Sequence, residues 1–116
     1  MSRFTVDFYD LPNGMVPMKL LLDAMDAKLA AKVARDLELL ETFGPALREP
    51  QSKYLRDGIF ELRTRQSTNH VQSFYFFHHD SRIIVTHGII KKQRRTPSRD
   101  IRQAIAYKLD WEGRHL

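Results

Sequence analysis

Residues 57–65 read Asp-Gly-Ile-Phe-Glu-Leu-Arg-Thr-Arg, a turn dipeptide followed by strict alternation. Phe60, Leu62 and Thr64 fall on one side of an extended chain and Glu61, Arg63 and Arg65 on the other, the period-two pattern of a strand. Asp57-Gly58 supplies the positive backbone angles of a tight hairpin turn. Two more extended runs follow at short intervals. Residues 70–78 carry Phe74-Tyr75-Phe76-Phe77, residues 82–90 are rich in β-branched side chains, and His79-Asp80-Ser81 connects them. Three such runs predict an antiparallel meander.

Upstream, residues 3–9 place Phe4, Val6 and Phe8 on one face of a first strand, which ends at the turn cluster Leu11-Pro12-Asn13-Gly14. From Pro17 the period changes: Met18, Leu21, Leu22 and Met25 form a helical stripe with proline in its first turn. Asp26 offers an N-cap to a second helix, whose Leu29, Val33, Leu37 and Leu40 continue until Gly44-Pro45 stops it. Residues 46–52 read as a loop, because Pro50 disfavours helix and no period is visible. Downstream, Thr96-Pro97 reads as the N-cap and first residue of a last helix with Ile101, Ile105 and Leu109 on its apolar side. The expected order is β-α-α-β-β-β-α in one domain spanning residues 1–116. This is an α+β architecture: an N-terminal helical hairpin on one face of a mostly antiparallel sheet, a C-terminal helix, and a second face partly open.

Composition bounds the function. At 42% hydrophobic and 28% charged residues the chain is an ordinary globular one. The absence of cysteine excludes disulfides, thiolate metal ligands and thiol nucleophiles. The N-terminus alternates and contains Asp7 and Asp10, so a secretory signal or membrane span is not expected and a cytoplasmic location is. No dinucleotide or P-loop glycine pattern occurs among five glycines. His78 and His79 are adjacent and would point apart, so no metal site is expected. The net charge of +5 is unevenly spread. Between residues 82 and 108 lie eight lysines and arginines and a single acid, Asp100, a distribution that attracts polyanions.

Two segments carry a family resemblance. Ser52-Lys53-Tyr54-Leu55-Arg56-Asp57-Gly58-Ile59-Phe60-Glu61-Leu62-Arg63 resembles the S-K-x-L-x-D-G-[LI]-[FW]-E-L-R stretch of HigB-like toxins in the RelE/ParE superfamily, a phage-derived toxin-like branch. His87-Gly88-Ile89-Ile90-Lys91-Lys92, then Thr96-Pro97 and Ile101 to Ala104, is similar to that family's H-G-F-x-K-K and T-P segments. The resemblance runs from Phe4 to about Lys108. It implies a toxin of a toxin–antitoxin pair, inhibited by a cognate helix-turn-helix antitoxin. Such a toxin enters the ribosome and cuts mRNA without a cofactor, the ribose 2′-hydroxyl attacking the adjacent phosphate to leave a cyclic phosphate and a 5′-hydroxyl.

That chemistry needs cations fixed around a phosphorane and a route for protons. The catalytic candidates are Arg63, Lys91, Lys92 and His87; Lys53, Arg65, Tyr75, Arg94 and Arg95 are candidates for holding RNA. Arg63 and Arg65 share the face opposite Phe60 and Leu62, a position that equally suits an exposed arginine pair. The run Lys91-Lys92-Gln93-Arg94-Arg95 can grip phosphates or simply be solvated. By alternation His87 shares a face with Ile83, Val85 and Ile89, so it reads as a proton carrier or as a packed core histidine. Tyr75 belongs to an aromatic run that can stack bases or fill the core. Family members often carry an arginine where this chain has Gln72, which removes one expected cation. A ParE-like gyrase poison and a non-catalytic RNA- or ribosome-binding protein are the competing readings.

Overall fold

The structure, a computed structural model, describes residues 3–91 and 96–116. Strands β1 (Thr5–Phe8), β2 (Ser52–Arg56), β3 (Ile59–Gln66), β4 (Asn69–His78) and β5 (Arg82–Lys91) form one sheet in the order β1-β5-β4-β3-β2. Helices α1 (Pro17–Ala24) and α2 (Ala27–Phe43) form the expected hairpin, and α3 (Ser98–Arg114) ends the chain. The α+β order holds with one strand added. β2 begins at Ser52, where a loop was expected to run out, and pairs with β3 through the two-residue turn Asp57-Gly58, both at positive φ. Its own five residues alternate poorly because it is an edge strand packed on one side only.

The meander β2-β3-β4-β5 is antiparallel, and β1 joins β5 in parallel with Thr5 opposite Arg82 and Phe8 opposite Val85. β1 is therefore an edge. Two N–H groups along it are occupied by one residue of α2: that of Phe4, just before β1, donates to the Glu41 carbonyl (3.1 Å), and that of Val6 to the Glu41 carboxylate (3.3 Å). That contact blunts an edge that would otherwise template pairing with another chain.

Each face of the sheet has its own core. On one, the α1–α2 hairpin buries Met18, Leu29, Val33, Leu37 and Leu40 against Leu62, Val71, Tyr75, Ile83 and Val85. Asp26 caps α2 as its sequence position suggests, accepting from Leu29 N at 2.8 Å. On the other face, α3 lays Ala104 and Trp111 on Ile59, Phe74, Phe76 and Ile84. Each fully buried large side chain contributes about 1.5–3 kcal/mol. Leu109, expected on the apolar side of α3, is exposed instead. The buried stripe runs through Ala104, Tyr107 and Trp111, because the two aromatic rings offer more apolar area than the leucine. The far end of α3 is fixed by the Tyr9 hydroxyl donating to Asp110 at 2.7 Å and by Arg114, which bonds Asp110 and the Asp10 carbonyl.

The start of α3 differs from expectation by one residue. Pro97 is the cap and Ser98 the first helical residue, without a side-chain cap. Thr96 cannot serve, since its hydroxyl is committed to the sheet at Glu61.

Gly44 closes α2 at φ 50 and ψ −128, a conformation open to glycine, and a Cβ built there would lie 2.3 Å from the Phe4 ring. Gly44→Ala therefore combines backbone strain with overpacking, each costing about 1–3 kcal/mol. Gly113, in the last turn of α3, has no atom within 4 Å of such a Cβ. Urea unfolding is expected to show a large loss for Gly44→Ala and none for Gly113→Ala.

Candidate functional site

The sheet register assembles three rows of side chains on the α3 face. The first runs Lys53, Glu61, Phe74, His87 across β2 to β5. The second is Arg63, Gln72, Ile89, and the third Arg65, His70, Lys91. Helix α3 covers the His87 end of the first row and leaves the second and third partly uncovered, so the polar residues of β3 and Lys91 gather beside the start of α3.

Glu61 lies at the centre of this cluster and is 1% exposed. One carboxylate oxygen accepts from Arg63 Nε at 2.8 Å and the other from the Thr96 hydroxyl at 2.8 Å. Thr96 is held in turn by the Gln72 amide at 2.7 Å. Burial pushes the Glu61 carboxyl up, but hydrogen bonds from Arg63, Gln72 and Thr96 outweigh it and hold the group below its usual range. Arg63 is half-buried, and its NH1 reaches Glu49 at 3.6 Å on the rim. It is thus a paired cation in the sheet face, unlike a freely exposed strand arginine.

Lys91 closes the cluster from β5. Burial lowers its pKa, Glu61 opposes that shift, and Arg63 and Lys53 reinforce it. Beside Lys91 a groove of about 560 Å³ opens between α1 and α3, with Ile89 and Lys91 on one side and Leu21, Pro97, Arg99 and Asp100 on the others. The structure therefore brings Arg63, Lys91 and Lys53 together. Arg65 stands on the same face, exposed, two residues farther along β3. Lys92, Arg94 and Arg95 lie outside the described residues.

Two candidates are placed elsewhere. Tyr75 points to the hairpin face, 1% exposed, stacked on Phe60 and hydrogen-bonded to Ser52, so its ring is a core element and is not presented to a base. His87 does not share a face with Ile83 and Val85. A β-bulge leaves Thr86 unpaired between Val85, which faces Tyr75, and His87, which faces Phe74. The extra residue moves everything after it to the opposite side of the sheet. Ile83 and Val85 consequently join the hairpin core, whereas His87 stacks on Phe74 at 4.8 Å, meets Tyr107 edge-on and approaches Asp100 at 3.7 Å. It is a packed histidine under α3, in the neighbouring row to Arg63 and kept from it by the intervening strand β4.

The participants that sequence reading missed are Glu61 as the hub and Gln72 and Thr96 as its supports. The one available signal was an acid on the polar side of a strand otherwise occupied by arginines.

Burial holds the His87 imidazole below its ordinary 6.5, with Asp100 opposing, so the native protein keeps it neutral near pH 7. An unfolded chain takes up that proton first as pH falls. The stabilisation is complete above 6.5 and declines as pH falls from there through the native value. Urea unfolding between pH 7.5 and 5 is expected to show this decline in the wild type and a shallower one in His87→Gln. His78, also held low by burial, supplies a remaining slope.

The family model described as "Phage derived protein Gp49-like (DUF891)" matches residues 21–108, which include the second half of α1, all of α2, the whole meander and most of α3. No curated protein matches the chain. With three quarters of its length and every residue of the Glu61 cluster inside the matched region, the chain belongs to the phage-derived Gp49-like family, part of the RelE/ParE-like toxin superfamily, whose members are commonly toxins of toxin–antitoxin systems.

Proposed function

We propose that this protein is a toxin that cleaves mRNA on the ribosome, in the manner of HigB-like enzymes, and is restrained by a cognate antitoxin. The observation that carries the reading is the convergence of Arg63, Lys91 and Lys53 on one partly open sheet face. Three cations within one cluster suit a phosphodiester better than a neutral ligand. Membership of a toxin family implies the antitoxin partner. Among the described residues no helix is long and apolar enough to cross a membrane.

In this reading Arg63 spends its Nε on Glu61 and directs its terminal nitrogens to the substrate. A phosphate displaces Glu49 from the rim and is held by two parallel hydrogen bonds. The 2′-oxygen attacks phosphorus, its proton passing to solvent, and the bond to the 5′-oxygen breaks. Lys91 gives that oxygen a proton and regains one from water. A lysine whose pKa is lowered toward neutrality by burial is a better donor than a fully solvated one. Lys53 and Arg65 extend the positive surface along the RNA, continued in sequence by Lys92, Arg94 and Arg95. The packed His87 supports the fold of β5 beneath α3 and takes no part in the proton transfer.

The decisive experiment maps mRNA 5′ ends after incubation with purified ribosomes and, separately, without them. Wild-type protein is expected to cut in the presence of ribosomes, and Arg63→Ala to cut about 10²–10³-fold more slowly, the usual loss on deleting one preorganised donor. Arg63→Lys should recover part of the rate, since charge returns without the fork. Unlike an exposed arginine, Arg63 neutralises a buried carboxylate, so Arg63→Ala is also expected to lower stability by about 1–3 kcal/mol. Full activity in Arg63→Ala would place the reaction elsewhere. A wild-type protein that never cuts would leave gyrase poisoning or simple ribosome binding.

A further inference from the structure

We infer that Glu61 is a positioning residue that aims Arg63 from one side and attracts the Lys91 ammonium from the other, making a single unit of the two cations. The inference rests on the nuclease reading above. A fully buried carboxylate occupies the middle of a site that would bind anions.

Glu61 is poorly suited to be the proton acceptor. At 1% exposure it does not reach a ligand on the open face, and its oxygens are already taken by Arg63 and Thr96. Held below its usual range, it also has little appetite for a proton. Its effect must therefore pass through its neighbours. For Arg63 the effect is geometric: a hydrogen bond from Nε at 2.8 Å restrains the guanidinium plane and turns its remaining edge toward the rim, where NH1 meets Glu49.

For Lys91 the effect is electrostatic. Among the described residues, the charged and titratable groups around it are Glu61 and Arg63 on β3, Lys53 on β2, His70 opposite it on β4, and Arg99 and Asp100 on α3 across the groove. Burial, Arg63 and Lys53 all favour the neutral amine, and Glu61 opposes them. Remove Glu61 and the lysine sits among cations with less reason to keep its proton at neutral pH. A single carboxylate thus directs one cation and raises the proton affinity of the other.

The test uses Glu61→Gln, which keeps the volume and removes the charge, in the full chain. Two readouts are taken across pH: kcat and KM on ribosome-bound mRNA, and the 13Cε resonance of Lys91, assigned by its loss in Lys91→Arg. We expect kcat to fall by about 10²-fold, the cost of a small misplacement, with KM little changed. The alkaline limb of kcat and the Lys91 titration should both move to lower pH. Thr96→Val removes a hydrogen bond from the same carboxylate and leaves its charge, so it should reduce kcat without moving the Lys91 titration. If Glu61→Gln does not fold, Glu61→Asp carries the test: it should retain the Lys91 titration and lose rate. An unshifted Lys91 titration in folded Glu61→Gln, or wild-type kcat in either Glu61 variant, overturns the inference. Absence of cleavage by the wild type would instead overturn the nuclease reading, and the Lys91 titration would still decide whether Glu61 governs that lysine.

Discussion

A carboxylate removed from water inside a sheet face must be met by donors, because an unpaired buried charge is among the most destabilising defects a fold can carry. Glu61 imposes that requirement here. Its demand is met from three parts of the chain: Arg63 two residues away on the same strand, Gln72 on the next strand acting through Thr96, and Thr96 itself just before α3. It ties the segment just before α3 to the sheet and holds Arg63 by its Nε. Thr96 gives up its role as a helix cap to satisfy the carboxylate, which shows which demand is stronger.

Gln72 gains meaning in this setting. Beside Arg63 in the register and 1% exposed, it occupies a position where relatives of the resembled type often carry arginine. A second guanidinium there would need its own counter-charge, and Glu61 is already paired with Arg63. The neutral amide joins β4 to Thr96 without adding to the positive charge. The chain thus concentrates its cations at Arg63, Lys91 and Lys53.

How much of this was legible in the sequence depends on whether a pattern is local. The hairpin helices, the Asp26 cap, the Asp57-Gly58 turn and the polar face shared by Glu61, Arg63 and Arg65 were readable, because each rests on spacing within a few residues. β2 was missed as an edge strand with weak alternation. His87 was put on the wrong face because a bulge at Thr86 breaks the period of two, and nothing in Val85-Thr86-His87 announces an inserted residue. The burial of Tyr75 depends on Ser52 and Phe60 meeting it across two strands. The hub role of Glu61 was illegible for the same reason, since its partner Thr96 lies 35 positions away.

The parallel pairing of β1 with β5 has a temporal consequence. Thr5 waits for Arg82, and Glu61 waits for Thr96, so neither the sheet edge nor the cation cluster can be finished while the chain is still emerging in order from its N-terminus. Contacts this distant in sequence form late and slowly compared with helical ones. During synthesis the α1–α2 hairpin can gather first, with the meander added behind it and α3 closing the second core last. The newborn polypeptide therefore lacks the completed Glu61 cluster until Thr96 has emerged, a built-in delay between making the strand and completing its charge arrangement.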